Sequence, residues 1–350
     1  MKIGNREIGA DHRPYLIAEM SGNHNNSLDR ALEIVDAAAS SGADAIKLQT
    51  YTADTMTLDL HTPDFVIDDP KSLWNGRNLY DLYDEAHTPW DWHAPIMERA
   101  KSLGIACFSS PFDHSAVDFL ETLDVPAYKI ASFELVDIPL IERVAATGKP
   151  LIMSTGMATV AEIGEAVLVA RRAGAEDIIL LKCTSTYPAE PVNTNLATIP
   201  TMRQTFQCEV GLSDHTMGTG VSVASVALGA PLIEKHFTLA RADGGVDSAF
   251  SMEPAEFHAL RVECDRAWQA IGGIAFGGTP AEEGSRTFRR SLYIARDMRA
   301  GDVLTPENLR AVRPGYGLPP KYLTQLLGQR VARDVARGTA ASWALFTGAD

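Results

Sequence analysis

Along roughly the first 275 residues the apolar positions switch repeatedly from the three-to-four spacing of an amphipathic helix to a short continuous apolar run. Five joints show the switch: SGADAIKLQT, LGIACFSS, TGKPLIMST, AGAEDIILLK and LGAPLIEKH, each with Gly ahead of the run. Glycine just past a helix end supplies a left-handed residue, and apolar runs without alternation suit strands covered on both faces. Helix starts agree. Thr159 with Glu162 forms a capping-box pattern before Ile163, Val167 and Ala170, and Ser27 stands at an N-cap before Leu28, Leu32 and Val35.

Candidate strands fall at 14–19, 44–49, 105–109, 127–131, 150–154, 178–183, 209–213 and 231–236. Eight βα units in this length predict a (β/α)8 TIM barrel over residues 1–275. A doubly wound open sheet is the rival, weakened because no GxGxxG follows the first strand. Between the second and third strands lies an insertion, 51–90, rich in Asp, Trp, Tyr and His. As a βα connection it emerges on the C-terminal face of the barrel, as a lid or recognition loop or as a plain surface excursion. The aromatics Tyr80, Tyr83, Trp90 and Trp92, in and just after it, suit an apolar wall for a substrate or packing of the loop itself. The Gly-rich stretch GGIAFGGTPAEEGS marks a linker, assigned to 276–288. The final unit, 289–350, reads as short β-like runs and turns with one helix start at Thr305-Pro306-Glu307.

Composition narrows the partners. Acidic residues outnumber basic ones 45 to 31, a formal charge of −14, so the global field repels nucleic acid and anionic membranes. An anionic substrate must therefore be met by a local cluster of cations. No apolar run approaches the roughly 18–20 residues of a membrane span, and the N-terminus MKIGNREIGA lacks the apolar stretch of a secretory signal; a cytoplasmic protein is expected. Cys107, Cys183, Cys208 and Cys264 show no CxxC spacing, which predicts reduced thiols and neither a disulfide scaffold nor a thiolate zinc site.

In a barrel, polar side chains at the C-terminal strand ends are where catalysis sits. Here those ends carry Glu19; Lys47 and Gln49; Ser109 and Ser110; Lys129 and Ser132; Ser154; Lys182 and Ser185; Ser213, Asp214 and His215; and Glu234, Lys235 and His236. Residues two apart on a strand share a face, so Lys47 goes with Gln49 and Glu234 with His236, while Lys235 turns toward the helices. Lys47 and Lys129 then form a basic pair, with the hydroxyls of Ser109, Ser132 and Ser154 around it, suited to a small phosphorylated anion. A lysine Schiff base with a carbonyl substrate is the alternative. His215 and His236 end neighbouring strands, where they can share one divalent metal or act as separate acid/base groups.

The motifs IAEMSGNHNNSLDRALEIVDAAASSGADAIKLQTY, CFSSPFD, YKIASFE, LIMSTGMA, LLKCTSTYPA, GLSDHTMG, IEKHFTL, RRSLYIARD and RPGYGL together resemble the sialic acid synthase family over nearly the whole chain. Within it the likeness is closest to the pseudaminic acid synthase branch, through LYDLYDEAHTPWDWH, CFSSPFD and GGVDSAFSMEP. The resemblance implies condensation of phosphoenolpyruvate with the open-chain aldehyde of an N-acetylated amino sugar. It also implies a divalent metal, Mn2+ first with Mg2+ or Co2+ as alternatives, and an antifreeze-like (SAF, β-clip) C-terminal domain exchanged in a domain-swapped homodimer. By motif, Lys47, Ser110, Lys129, Ser132, Ser154, Ser185 and Ser213 resemble a phosphoenolpyruvate cradle, and His215 and His236 metal ligands. Glu19, Gln49, Phe112, Tyr187, Glu234 and Asp247 resemble sugar-side or acid/base residues, and Arg313 a residue donated by the partner subunit. Two departures stand out: Ser185 replaces the usual Asn, and Ser248 follows Asp247 where the family usually has His.

Overall fold

The structure, a computed structural model, describes residues 1–346. Two compact units divide at Gly272/Gly273. After a small hairpin (Lys2–Ile3 with Arg6–Glu7), the first unit builds a closed barrel of eight parallel strands. They are β1 (Tyr15–Glu19), β2 (Ala45–Thr50), β3 (Ala106–Pro111), β4 (Tyr128–Ile130), β5 (Leu151–Ser154), β6 (Ile178–Cys183), β7 (Glu209–Ser213) and β8 (Leu232–His236). Strand β8 closes on β1, with His236 opposite Glu19. The open-sheet alternative is thereby set aside.

Helices α1 (Leu28–Ser40), α2 (His93–Ser102), α3 (His114–Thr122), α4 (Ile138–Ala145), α5 (Val160–Ala173), α6 (Thr198–Phe206), α7 (Gly220–Ala227) and α8 (Pro254–Ile271) follow the strands in turn. The local chemistry is the expected one. The glycines at the five joints, Gly42, Gly104, Gly148, Gly174 and Gly229, all have positive φ. Ser27 Oγ accepts from Arg30 N at 3.2 Å, and Thr159 and Glu162 cap α5 reciprocally. Buried Ile, Val and Leu from strands and helices fill the layer between them. Strand-end polar groups are the exception to that apolar filling, so they gather at one mouth.

The insertion between β2 and α2 is folded, with short helices Ala53–Met56 and Leu79–Ala86. Asn78 organises it. Its Oδ1 accepts from Tyr80 N and Asp81 N, while its Nδ2 donates to Leu60 O at 2.8 Å.

The second unit has its own core of Leu292, Ile294, Leu304, Leu309, Val331 and their neighbours. In it β9 (Ser291–Ile294) pairs antiparallel with β10 (Leu309–Val312). Residues 347–350 of the expected terminal domain lie outside the described residues. The helix start expected at Thr305-Pro306-Glu307 is instead a single turn: Leu309 N donates to Thr305 O at 3.0 Å, and Asn308 Nδ2 to Val303 O at 2.9 Å. Leu309 must then pair with Ile294 in the sheet, which stops a helix before it begins.

Candidate active site

Parallel register aligns the strand ends, and every second side chain points into the barrel. Lys47 Nζ lies 2.5 Å from Glu19 Oε2, 3.2 Å from Ser110 Oγ and 3.8 Å from Glu234 Oε2. Lys129 Nζ lies 3.8 Å from Glu234 Oε1, which also accepts from Ser213 Oγ at 3.0 Å. Gln49 Nε2 donates to Glu19 Oε1 at 2.9 Å. All four charged side chains are almost wholly buried. Ser154 Oγ is buried without a hydrogen-bond partner, as a group awaiting a ligand would be.

Burial separates the two carboxylates. Desolvation pushes Glu19 up to about 7 despite the Lys47 ammonium beside it, and the negative Glu234 adds to the rise. For Glu234 burial also works upward, but Lys129 and Lys47 together hold it below the usual carboxylate range. Burial pulls Lys129 down, whereas Glu19 and Glu234 outweigh burial and keep Lys47 raised. Two carboxyl groups pushed apart in this way give one proton holder and one standing anion.

His215 and His236 face each other with ring centroids 5.3 Å apart. His215 Nδ1 must donate to the Thr184 carbonyl at 2.9 Å, which leaves Nε2 as its basic nitrogen. His236 Nδ1 is buried without a hydrogen-bond partner. Two such imidazoles fit a divalent cation as a pair of nitrogen donors. Among the described residues no group of three or more His, Cys, Asp and Glu side chains comes together as a metal site, so substrate or water oxygens would complete the shell.

Ser132 Oγ and Ser185 Oγ stand 2.8 Å apart, and Gly156 packs against them. A Cβ on Gly156 would come within 2.1 Å of Ser185 Oγ. Asp247 accepts from Ser21 Oγ and from the Gly22 backbone, and burial raises its pKa. Tyr187 packs at 4.4 Å from the His215 ring and 5.3 Å from Phe250. Arg313 is exposed on the second unit, just beyond β10.

A cleft of about 830 Å³ opens over this mouth and is lined by Gln49, Phe112, Ser185, Tyr187, His236 and Asp247, with the insertion supplying much of the rest. A cavity of about 550 Å³ lined by Pro14, Pro231 and Trp268 holds none of the strand-end groups.

Some expectations need correction. Ser109 does not join the lysine pair: it bonds Thr50 Oγ1 at 2.6 Å, and Thr50 in turn meets His93. Alternation puts Ser110 inside and Ser109 on the helix side. Of Tyr80, Tyr83, Trp90 and Trp92, only Tyr83 lines the cleft. Trp90 stacks on Phe119, Trp92 packs on His24, and the Tyr80 hydroxyl donates to Asp54. The apolar wall comes instead from Tyr51, Phe112 and Trp74, whose indole N–H donates to Val246 O at 2.9 Å.

Two further groups escaped the sequence reading. Glu134, in the turn after β4, lines the cleft with Oε2 buried and unpartnered, and burial pushes it to about 7. It stands two residues beyond Ser132 in YKIASFE, so the strand-end rule carried one turn further would have found it. Cys183 ends β6 facing the site; burial alone would raise its thiol, but a hydrogen bond with His215 and the charges of His215 and Lys129 bring it to about 7. All four cysteines are free and buried.

A closed parallel barrel whose mouth gathers two lysines, two carboxyl groups whose pKa values are pushed in opposite directions and two facing imidazoles defines an enzyme for a small anionic substrate. The chain belongs to the NeuB family, whose model matches residues 34–275, and a SAF domain matches 289–347. It is 43% identical to a pseudaminic acid synthase of Campylobacter jejuni over 97% of this chain and 98% of that one. It is 34% identical to an N,N'-diacetyllegionaminic acid synthase of Legionella pneumophila, over 97% of this chain and 96% of that one. The solved N-acetylneuraminic acid synthetase of Leptospira borgpetersenii superposes with a TM-score of 0.72 at 30% identity, covering 81% of this chain and 94% of that chain.

Proposed function

We propose that this enzyme condenses phosphoenolpyruvate with the open-chain aldehyde of 2,4-diacetamido-2,4,6-trideoxy-altropyranose and water, giving pseudaminic acid and phosphate. The observation that carries the chemistry is Glu234 held anionic between Lys129 and Lys47, beside Glu19 near neutrality and the two facing histidines. The acceptor is supported by the higher identity to the pseudaminic acid synthase than to the legionaminic one, and by the apolar wall of Tyr51, Phe112 and Trp74, which suits a 6-deoxy sugar with a second acetamido group.

Lys47 and Lys129 bind the carboxylate and phosphate, with Ser110, Ser132, Ser154, Ser185 and Ser213 as neutral donors. Gln49, Tyr187, Asp247 and Glu134 contact the sugar. The methylene carbon of phosphoenolpyruvate attacks the aldehyde carbon, and the aldehyde oxygen takes its proton from Glu19. Positive charge left at C2 is stabilised by the Glu234 carboxylate. Water adds there, its proton passing to a carboxylate, and the tetrahedral adduct expels phosphate by C–O cleavage to leave the 2-keto acid. His215 and His236 would hold a divalent metal, Mn2+ first with Mg2+ or Co2+ as alternatives, which when bound would polarise the aldehyde.

A domain-swapped homodimer belongs to the same proposal. Its support is a set of large apolar side chains exposed on the loops after β4 to β7, among them Phe133, Met157, Val192 and Met217, and Tyr316 at 71% exposure near Arg313 on the second unit. No helix among the described residues is long and apolar enough to cross a membrane, which accords with a cytoplasmic synthase.

The test is phosphate release from phosphoenolpyruvate with Mn2+, comparing the altrose derivative, its legionaminic-type epimer and N-acetylmannosamine, each with and without EDTA. Chelator-sensitive turnover with the altrose sugar alone is expected. Turnover with another sugar alone would overturn the acceptor, and release unaffected by chelation would overturn the metal.

A further inference from the structure

Behind the two histidines the barrel wall buries an ion pair that no step of the proposed reaction uses. Lys235 Nζ lies 3.0 Å from Asp214 Oδ2, and it donates to Thr216 O at 2.6 Å and Gly218 O at 3.1 Å. The two side chains are 1% and 0% exposed. Asp214 is equally engaged: Oδ1 accepts from Thr216 N at 2.9 Å and Thr216 Oγ1 at 2.8 Å, and Oδ2 also accepts from Ser222 Oγ at 2.5 Å. Every donor of the ammonium has a partner, and neither residue is among the buried atoms left without one.

The sequence explains why this network matters to the site. Asp214 immediately precedes His215, and Lys235 immediately precedes His236. Alternation turns each histidine inward and its neighbour outward, so a single ammonium ties the segment 214–218 to β8 directly behind the two rings. A buried ion pair contributes little net stability, because desolvating both charges offsets most of their attraction. What three short bonds from one ammonium do give is geometry: the backbone carrying His215 cannot slide or rotate against the strand carrying His236 without breaking several of them. The rings sit 5.3 Å apart on that frame.

We infer that Lys235 and Asp214 are positioning residues that set the spacing and orientation of His215 and His236 for a shared divalent cation. The inference rests on the two-histidine metal reading above. It differs from a purely structural role in one measurable respect: loss of the pair costs metal affinity even in protein that is still fully folded.

Mn2+ binding to the full-length protein is titrated by the electron paramagnetic resonance signal of free Mn2+, alongside thermal unfolding without metal. The variants are Lys235→Met, which keeps the apolar stem, Asp214→Asn, and the milder Thr216→Val, with His215→Ala and His236→Ala as controls. Mn2+ affinity is expected to fall about 10- to 100-fold in Lys235→Met and Asp214→Asn, the range for groups that orient metal ligands, measured at a temperature where each variant is still fully folded. Removing one partner leaves the other charge buried and unpaired, so the unfolding temperature of the metal-free protein drops as well, by about 5–10 °C. Should either variant fail to fold, Thr216→Val, which removes only one hydroxyl bond to Asp214, carries the test with a smaller loss in the same direction. Folded variants that bind Mn2+ like the wild type, while the histidine controls do not, would overturn the inference and leave the two-histidine site standing. Mn2+ binding that survives both histidine substitutions would overturn the metal reading itself and the inference with it.

Discussion

Two buried glutamates a lysine apart do opposite things because their surroundings differ by one cation. Glu234 has Lys47 on one side and Lys129 on the other; Glu19 has Lys47 alone and a negative neighbour. If Glu19 must be protonated to deliver a proton, turnover is present below its folded pKa and is lost as pH rises through about 7. Glu19→Gln cannot transfer a proton and should lower kcat by about 10²- to 10⁴-fold, with the basic limb near 7 gone from what remains; a full pH–rate profile checks this. Gly156 makes a second residue-scale prediction. A methyl there collides with Ser185 Oγ, so Gly156→Ala should cost about 1–3 kcal/mol by overpacking and raise KM for phosphoenolpyruvate, read from the melting temperature and steady-state kinetics together. At this scale the sequence was legible only as far as alternation could be anchored. Lys47, Gln49, Glu234 and His236 were placed on the correct face because each strand holds two of them. Ser109 and Ser110 are adjacent, and nothing in the sequence says which turns inward until the register with β2 is known. Cys183 was passed over because cysteine spacing speaks to disulfides and zinc, not to a lone thiol beside an imidazole.

At the scale of elements, the strands were readable because a helix-capping glycine followed by an apolar run marks five of the seven αβ joints. The Thr305 turn was not, since Thr-Pro-Glu is a genuine helix-start signal that pairing of Leu309 with Ile294 overrides. Capping strength can be measured where it did hold. Thr159→Ala removes the side-chain acceptor for Glu162 N and the partner of the Glu162 carboxylate, and should destabilise the protein by about 1 kcal/mol, seen in denaturant unfolding with activity intact in the folded state. The insertion was recognised as a feature of the mouth, but its contacts depend on how 40 residues of loop fold back, which no local period encodes. Trp74 is the clearest case. Its ring lies 5.8 Å from Tyr187 and 6.4 Å from Phe250, and its N–H holds the segment that carries Asp247. Trp74→Phe keeps the apolar face and loses the hydrogen bond, whereas Trp74→Ala loses both. The acceptor KM should rise modestly in the first and about tenfold or more in the second, a difference of about 1.4 kcal/mol, with KM for phosphoenolpyruvate unchanged in each.

For the whole molecule, the tension is between a net charge of −14 and a substrate that is itself an anion. Burying Lys47 and Lys129 at the floor of the cleft answers it locally, since a cation in a low-dielectric site attracts far more strongly than one on the surface. An open mouth would admit water and screen that attraction, so a cover of some kind is required for condensation to outrun hydrolysis. The exposed apolar side chains on the loops after β4 to β7 are where such a cover would rest, and the proposed cover is the second unit of a partner chain bringing Arg313. The arrangement makes a specific demand. Arg313→Ala should lose most turnover with little change in melting temperature, because the residue is exposed and its removal leaves no cavity. Lys129→Met, inactive for a different reason, keeps its own Arg313. If each site takes its arginine from the partner, mixing the two dead variants under conditions of subunit exchange yields hybrids with one site containing both an intact barrel and a donated arginine. About a quarter of wild-type activity should then return at equal mixing, because half the dimers are hybrids and each hybrid has one working site of two. If each site uses its own arginine, every site in every hybrid carries one lesion, and no activity returns however complete the exchange.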